Sequence, residues 1–290
     1  MELFKIIENV ATELLKLAVT KLPDSIEKAL LKALEEVQSD VAKTQLQTIV
    51  ENFTAAKTSL LPMCQDTGVV SFFVKVGEQF PIIAELTEIL RNATIKATQS
   101  VPLRPNAVDL FKGNTGNNVA DYIPWIYWEI VPNNNVLELI AFPKGGGSTN
   151  ISKLGLLKPG EGLKGIKKFI VDSVVDAGAK GCPPYFLGIG IGGGEDIAMN
   201  LAKKSLLRPV GEHSKIPKIA ELEKELLEAL NELRIGVMGL GEGPTVLSVH
   251  IEVAGRHPAS LPIGIVFSCW ADRHAGARID SEGNITYLSF

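Results

Sequence analysis

The chain has 290 residues, 46% of them hydrophobic, with a net charge of −4 and a mean hydropathy of +0.17. That length holds one large domain or two small ones; the apolar share excludes a disordered chain, and Lys interspersed with Glu argues against a nucleic-acid surface. No apolar run approaches the roughly eighteen residues of a membrane span, and no basic segment followed by an apolar one marks a signal peptide at the N-terminus. Three cysteines, an odd number, fit a reducing compartment with free or metal-bound thiols, so the chain reads as cytosolic.

The first sixty residues read as helical. Leu3, Ile6, Ile7, Val10, Leu14 and Leu17 recur at helical spacing, and Pro23 ends the run. Asp24 and Glu27 have the spacing of a capping box for a helix over 25–38, and Val41, Ile49, Val50 and Phe53 mark a third helix. From residue 69 the pattern becomes mixed, with a strand over 69–76 and a helix over 81–100. Residues 101–106 then place Arg104 between two prolines. The following proline biases Arg104 to extended backbone, where it is either a surface charge or a pre-positioned carboxylate fork. Strands over 123–131 and 136–142 flank Pro132-Asn133-Asn134-Asn135, the pattern of a hairpin.

Two glycine clusters follow. Lys144-Gly145-Gly146-Gly147-Ser148 lacks the Gly-Lys-Ser/Thr ending of a phosphate-binding loop. It is either a connector or a turn that directs backbone N–H groups at an anion. Gly188, Gly190 and Gly193 spell GxGxxG between a strand and a helix over 196–204. A dinucleotide site needs a second strand ending near an acidic residue about twenty positions on, and Ser205-Leu206-Leu207-Arg208-Pro209 supplies none. Close backbone packing, or approach to a non-nucleotide ligand, explains these glycines better. A helix over 219–233, strands over 246–253 and 263–268, and a hairpin over 277–288 complete the chain. The alternation reads as α/β (mixed α+β): a helical N-terminal layer over 1–60 packed on a mixed α/β core over 61–290, forming a single compact unit.

Cys64, Cys182 and Cys269 each stand at the end of a predicted element, beside Pro, Gly or polar residues. Buried structural cysteine is one reading. The other is a ligand set: zinc favours close cysteine pairs, which are absent, whereas three isolated thiols suit an iron–sulfur cluster with one iron lacking a protein ligand.

Cys64-Gln65-Asp66-Thr67-Gly68, Lys144-Gly145-Gly146-Gly147-Ser148, Lys180-Gly181-Cys182-Pro183-Pro184, residues 188–194 and Ser268-Cys269-Trp270-Ala271-Asp272-Arg273 occur together in one order. In that order they resemble the class I (iron–sulfur) fumarate hydratase family. The likeness covers nearly the whole chain and matches the α subunit of the two-subunit forms, which the α subunit of L(+)-tartrate dehydratase also resembles. The resemblance implies a [4Fe–4S] cluster on Cys64, Cys182 and Cys269. It also implies substrate contacts from Gln65, Asp66, Arg104 and Gly147, and an acid–base pair of Asp66 and His257. Single-chain members carry a C-terminal domain with further arginines, a lysine and a catalytic threonine. Here that domain is expected on a β subunit, in a heterotetramer acting on a small dicarboxylate. Reversible hydration of fumarate is the first expectation and dehydration of L(+)-tartrate the alternative. A non-catalytic scaffold subunit and a nucleotide-dependent oxidoreductase are the readings from other classes.

Overall fold

The computed structural model describes residues 2–101 and 103–289, so Pro102, one of the prolines beside Arg104, lies outside the described residues. Three helices open the chain: α1 (Glu2–Thr20), α2 (Asp24–Glu36) and α3 (Asp40–Ser59). Then come β1 (Ser71–Gly77), α4 (Leu86–Ser100), β2 (Val108–Asp109), β3 (Gly113–Asn114), β4 (Trp125–Val131), β5 (Leu137–Ala141), α5 (Gly146–Asn150) and β6 (Lys153–Leu157). The chain continues with α6 (Gly162–Ala177), β7 (Tyr185–Gly193), α7 (Glu195–Ser205), α8 (Pro217–Asn231), β8 (Val246–Arg256), β9 (Leu261–Ser268), β10 (Ala275–Ile279) and β11 (Ile285–Tyr287). The mixed α/β class is as the sequence predicts. None of the described helices is long and apolar enough to cross a membrane.

Two local expectations change. The helix predicted from 81 starts at Leu86, because Ile82 and Ile83 pack on the core from a turn and so extend the apolar pattern upstream of the helix. Residues 123–142 do not form a hairpin: β1 lies between β4 and β5, parallel to the first and antiparallel to the second. β1 is the more thoroughly buried strand and takes the centre, leaving half-exposed β4 at the edge. The Asn133–Asn135 turn therefore crosses the end of β1, where Gly77 donates to the Val136 carbonyl and Gln79 to that of Asn134. A Cβ on Gly77 would lie 2.1 Å from Asn134 O, so only glycine fits there.

The described residues gather into two compact units, the first from segments 1–24, 52–146 and 273–290, the second from 25–51 and 147–272. In the first, the sheet order is β11-β10-β5-β1-β4. Phe72, Val74 and Val76 of β1 share rungs with Ala141, Leu139 and Leu137 of β5, which align in turn with Ala275, Ala277 and Ile279 of β10. That face is packed with α1 and α4, through Ile7, Leu14, Ile89 and Leu90, in one apolar core. Burying each such side chain contributes about 1.5–3 kcal/mol.

The second unit has the sheet order β6-β9-β7-β8, with β7 parallel to β8 and antiparallel to β9. Helix α7 lies directly on its glycines: a Cβ at Gly188 would stand 2.0 Å from Ala202 O, and one at Gly190 2.0 Å from Ala198 O. The GxGxxG pattern is therefore close backbone packing within a strand and not a loop open to phosphate. Side chains close the outer edge of β8 in place of another strand. Glu223 accepts the Ile251 N–H at 2.8 Å, Arg208 donates to Ile251 O at 3.0 Å, and Asn231 bonds both polar groups of Val246. Pairing the edge groups in this way removes a template for unwanted strand addition.

Candidate active site

The Cys64 loop is built by its neighbours in the first unit. Buried Met63 donates its N–H to Val19 O at 3.0 Å, anchoring the loop to the end of α1. Gly68 adopts φ +87°, and a Cβ there would meet the backbone of Pro143 and Lys144 at 2.8 Å. Glycine is thus required for the reciprocal Val69–Lys144 bonds of 2.9 and 3.0 Å, which lay the Gly-rich run against the loop.

Asp66 sits at the centre of this contact. Its Oδ2 accepts the Gly146 N–H at 2.7 Å; its Oδ1 accepts the Gly68 N–H at 2.9 Å and the Asn106 amide at 3.4 Å. The Arg273 guanidinium donates to its main-chain carbonyl. Thr67 bonds both polar backbone groups of Arg104, accepting its N–H at 3.0 Å and donating to its carbonyl at 3.4 Å. Arg104 is exposed, and its guanidinium has no hydrogen-bond or ion-pair partner among the described residues. Gln65, between Cys64 and Asp66 in sequence, is exposed, with its Oε1 3.9 Å from Cys64 Sγ. Asp66, the Arg104 backbone and the 145–146 turn therefore lie in one bonded cluster. The Gly-rich run is no loose connector, although the anion its Gly146 N–H holds is Asp66 itself.

In the second unit, Cys182 and Cys269 lie at the same end of the sheet. Cys182 precedes β7 and Cys269 follows β9, with Phe186 opposite Ser268 and the Trp270 N–H donating to Cys182 O at 3.2 Å. Cys182 is exposed and has φ +59°, a left-handed conformation rare for a residue with a side chain. The Tyr185 hydroxyl braces this loop, accepting from Gly181 N–H at 3.0 Å and donating to Gly178 O at 2.8 Å. Burial pushes the Tyr185 phenol up to about 12, and the nearby Cys182 and Cys269 add to the rise. Gly147 lies by the same loop, its would-be Cβ 3.8 Å from Lys180 O.

His257 stands elsewhere. It follows β8 at the turn into β9, beside the Gly193–Arg256 pair that ends β7. The eight residues of β9 separate that turn from Cys269, a span of about 23 Å at strand spacing. Within one copy of the second unit, His257 and the two thiols occupy opposite ends of the sheet. The strand between them is the reason: opposite ends of an extended strand cannot meet. His257 is exposed and takes the Ala259 N–H on Nδ1 at 3.1 Å, while Arg256 bonds the turn carbonyls of His257, Pro258 and Ser260.

None of the three cysteines is in a disulfide. Among the described residues, no three His, Cys, Asp or Glu side chains stand together as a metal-ligand group. The soft donors and the convergence of Cys182 and Cys269 fit a thiolate-held cluster. Cys64 belongs to the other unit, so the convergence covers two ligands. From the sequence alone, Asn106 and Tyr185 have no role, and Arg273 has only a place in a motif. Arg273 lies inside the Cys269 motif, and Asn106 is two residues beyond Arg104, on the same side of extended backbone.

A mixed α/β fold with a fixed carboxylate, an exposed arginine on a neighbouring segment and thiols at strand ends has the make-up of an enzyme for a small anion. Comparison narrows that class. Residues 8–278 match the family described as fumarate hydratase (Fumerase). A Methanocaldococcus jannaschii protein, named provisionally as L(+)-tartrate dehydratase subunit alpha, is 45% identical over 96% of this chain and 99% of its own length. The L(+)-tartrate dehydratase subunit alpha of Escherichia coli UTI89 and that of Shigella sonnei are each 38% identical over 93% of this chain and 89% of theirs. The chain belongs to the fumarate hydratase family, and so to a family of hydro-lyases.

Proposed function

We propose that this chain is the α subunit of an iron–sulfur hydro-lyase that interconverts fumarate and (S)-malate. The observation that carries the reading is the Asp66 cluster, where a fixed carboxylate, an exposed arginine and a Gly-rich turn meet beside the Cys64 loop. Cys64, Cys182 and Cys269 are the proposed ligands of a [4Fe–4S] cluster. When bound, the cluster supplies an iron open to the substrate hydroxyl, a Lewis acid that eases its departure as water. Arg104 takes one substrate carboxylate in a bidentate pair, with its backbone held by Thr67. Gln65 and the Gly147 N–H are the proposed polar contacts that orient the ligand. Asp66 and His257 are the acid–base candidates. Since His257 lies at the far end of its sheet, it serves the thiol site of a second copy of the chain.

A C4 dicarboxylate carries two charges, and burying them without paired cations costs several kcal/mol per ion. The remaining cations are proposed to come from a β subunit in a heterotetramer, in line with the "subunit alpha" names of the relatives. The thiols outside disulfides favour a cytoplasmic setting. Dehydration of L(+)-tartrate is the second reading, favoured by the names of those full-length relatives. Anaerobic co-expression with the partner chain, followed by assays on fumarate and L(+)-tartrate, tests both. Turnover of fumarate supports the first reading and turnover of tartrate alone the second. Turnover of neither substrate, hydration of fumarate or dehydration of L(+)-tartrate, at full iron content overturns both.

A further inference from the structure

We propose that Arg273 is a positioning residue that fixes Asp66 for the reaction; the assignment rests on the role of Asp66 proposed above. Only 4% of Arg273 is exposed, yet it forms no ion pair with a carboxylate among the described residues. Its guanidinium reaches two main-chain carbonyls instead. Nε donates to Pro143 O at 3.3 Å, and Nη2 donates to Asp66 O.

Those carbonyls belong to the two segments whose contact holds the Asp66 side chain, namely the Cys64 loop and the run into Gly146. A planar fork fixes the direction of both bonds from one side chain, which the point charge of a lysine cannot do. Burying a charged group against neutral acceptors is unfavourable relative to a neutral donor, so a role as mere filler explains it poorly. There is little slack nearby. A Cβ at Gly145 would stand 3.0 Å from Asp66 Oδ2 and 3.9 Å from Arg273 Nη2.

The sheet, in turn, holds Arg273. Two residues later Ala275 pairs with Ala141 in the β10–β5 ladder, and buried His274 between them makes a ring contact with Phe142 at 6.1 Å. The link therefore runs from the central strands of the first unit, through Arg273, to the backbone of Asp66.

Arg273→Lys and Arg273→Gln in the full chain, with its partner chain where one is needed for turnover, test this. Hydrogen exchange reads the positioning without any activity. The Gly68 and Gly146 amides, which bond the Asp66 carboxylate, are expected to exchange at least about tenfold faster, with β7 and β9 amides unchanged. In turnover, kcat falls at least about tenfold while KM moves less than about threefold, and Arg273→Lys retains more activity than Arg273→Gln. Adding Arg273→Lys to Asp66→Asn should bring no further loss, since both act through one group. Unchanged exchange at both amides, or additive losses in the double variant, overturns the proposal. Should the Gln variant fail to fold, the Lys variant decides alone. If the wild-type protein turns over no dicarboxylate, the function reading fails separately and exchange still decides the role of Arg273.

Discussion

The backbone N–H of Gly146 donates to Oδ2 of Asp66 at 2.7 Å, so the loop beside Cys64 and the Gly-rich run 80 residues later share one carboxylate. Because Oδ1 also accepts N–H donors, Asp66→Asn is not a silent isostere. Its amide nitrogen must face a donor on one side or the other, at a cost of about 1–3 kcal/mol for the unpaired group. The variant is expected to lose roughly 10²–10⁴-fold in turnover and to unfold at a lower temperature. Calorimetry beside an anaerobic hydration assay checks both; full turnover with unchanged stability would remove Asp66 from the site.

If Cys64, Cys182 and Cys269 each bind an iron, a serine at any one of them strips visible absorbance and iron together. Cys182 is the most exposed of the three, so its replacement has the least effect on packing and gives the cleanest reading. Retention of the full cluster in Cys182→Ser would falsify its assignment.

The glycines of β7 predict a pure packing effect. Gly190→Ala places a methyl 2.0 Å from Ala198 O, and relieving such an overlap typically costs about 1–3 kcal/mol by shifting the helix. Lower urea resistance is expected, with no binding of nicotinamide dinucleotides by wild type or variant in a fluorescence titration. Micromolar binding by the wild type would return the GxGxxG pattern to a ligand role.

Acid should weaken the second unit before it touches the carboxylates in general. Burial, aided by Arg208, lowers the buried His250 from 6.5 to about 4. The unfolded chain therefore takes up a proton that the fold refuses. The sign follows: stability is fully present above about pH 6.5 and is lost progressively as pH falls towards 4, by on the order of 3 kcal/mol. Burial raises Glu223, but the Ile251 and Ser214 N–H groups and Arg208 outweigh it and leave the carboxyl lowered from 4.5. Its contribution is present above that value and fades below it. Urea unfolding of His250→Gln between pH 7 and 4 should be markedly flatter than that of wild type; identical slopes would contradict the assignment.

Placing His257 in the site of a second copy predicts complementation. Cys269→Ser and His257→Asn chains, each inactive alone, should recover about a quarter of wild-type activity when refolded together, since half of randomly formed pairs hold one intact site of two. Absence of any recovery in confirmed mixed oligomers would exclude delivery from a second copy.

Much of the fold was legible in the sequence because helices and half-buried strands write their period into local spacing, as with Ile7, Leu14 and Leu15 on α1. Short motifs likewise marked Cys64, Cys182, Cys269, Asp66 and Arg104, since special backbone and reactive side chains need particular residues next to one another. What depended on partners far along the chain was not legible. The central place of β1 between β4 and β5 follows from which strand buries more surface, and period alone ranks neither. The glycines at 188 and 190 read as close packing or a ligand approach, and only the fold shows that α7 is what packs on them. Arg273 and Asn106 acquire meaning only once the fold brings segments 66–68, 104–106, 143–146 and 273 to one carboxylate. His257 shows the converse: the family resemblance points to it as a site residue, while the length of an extended strand sets it apart from the thiols of its own copy.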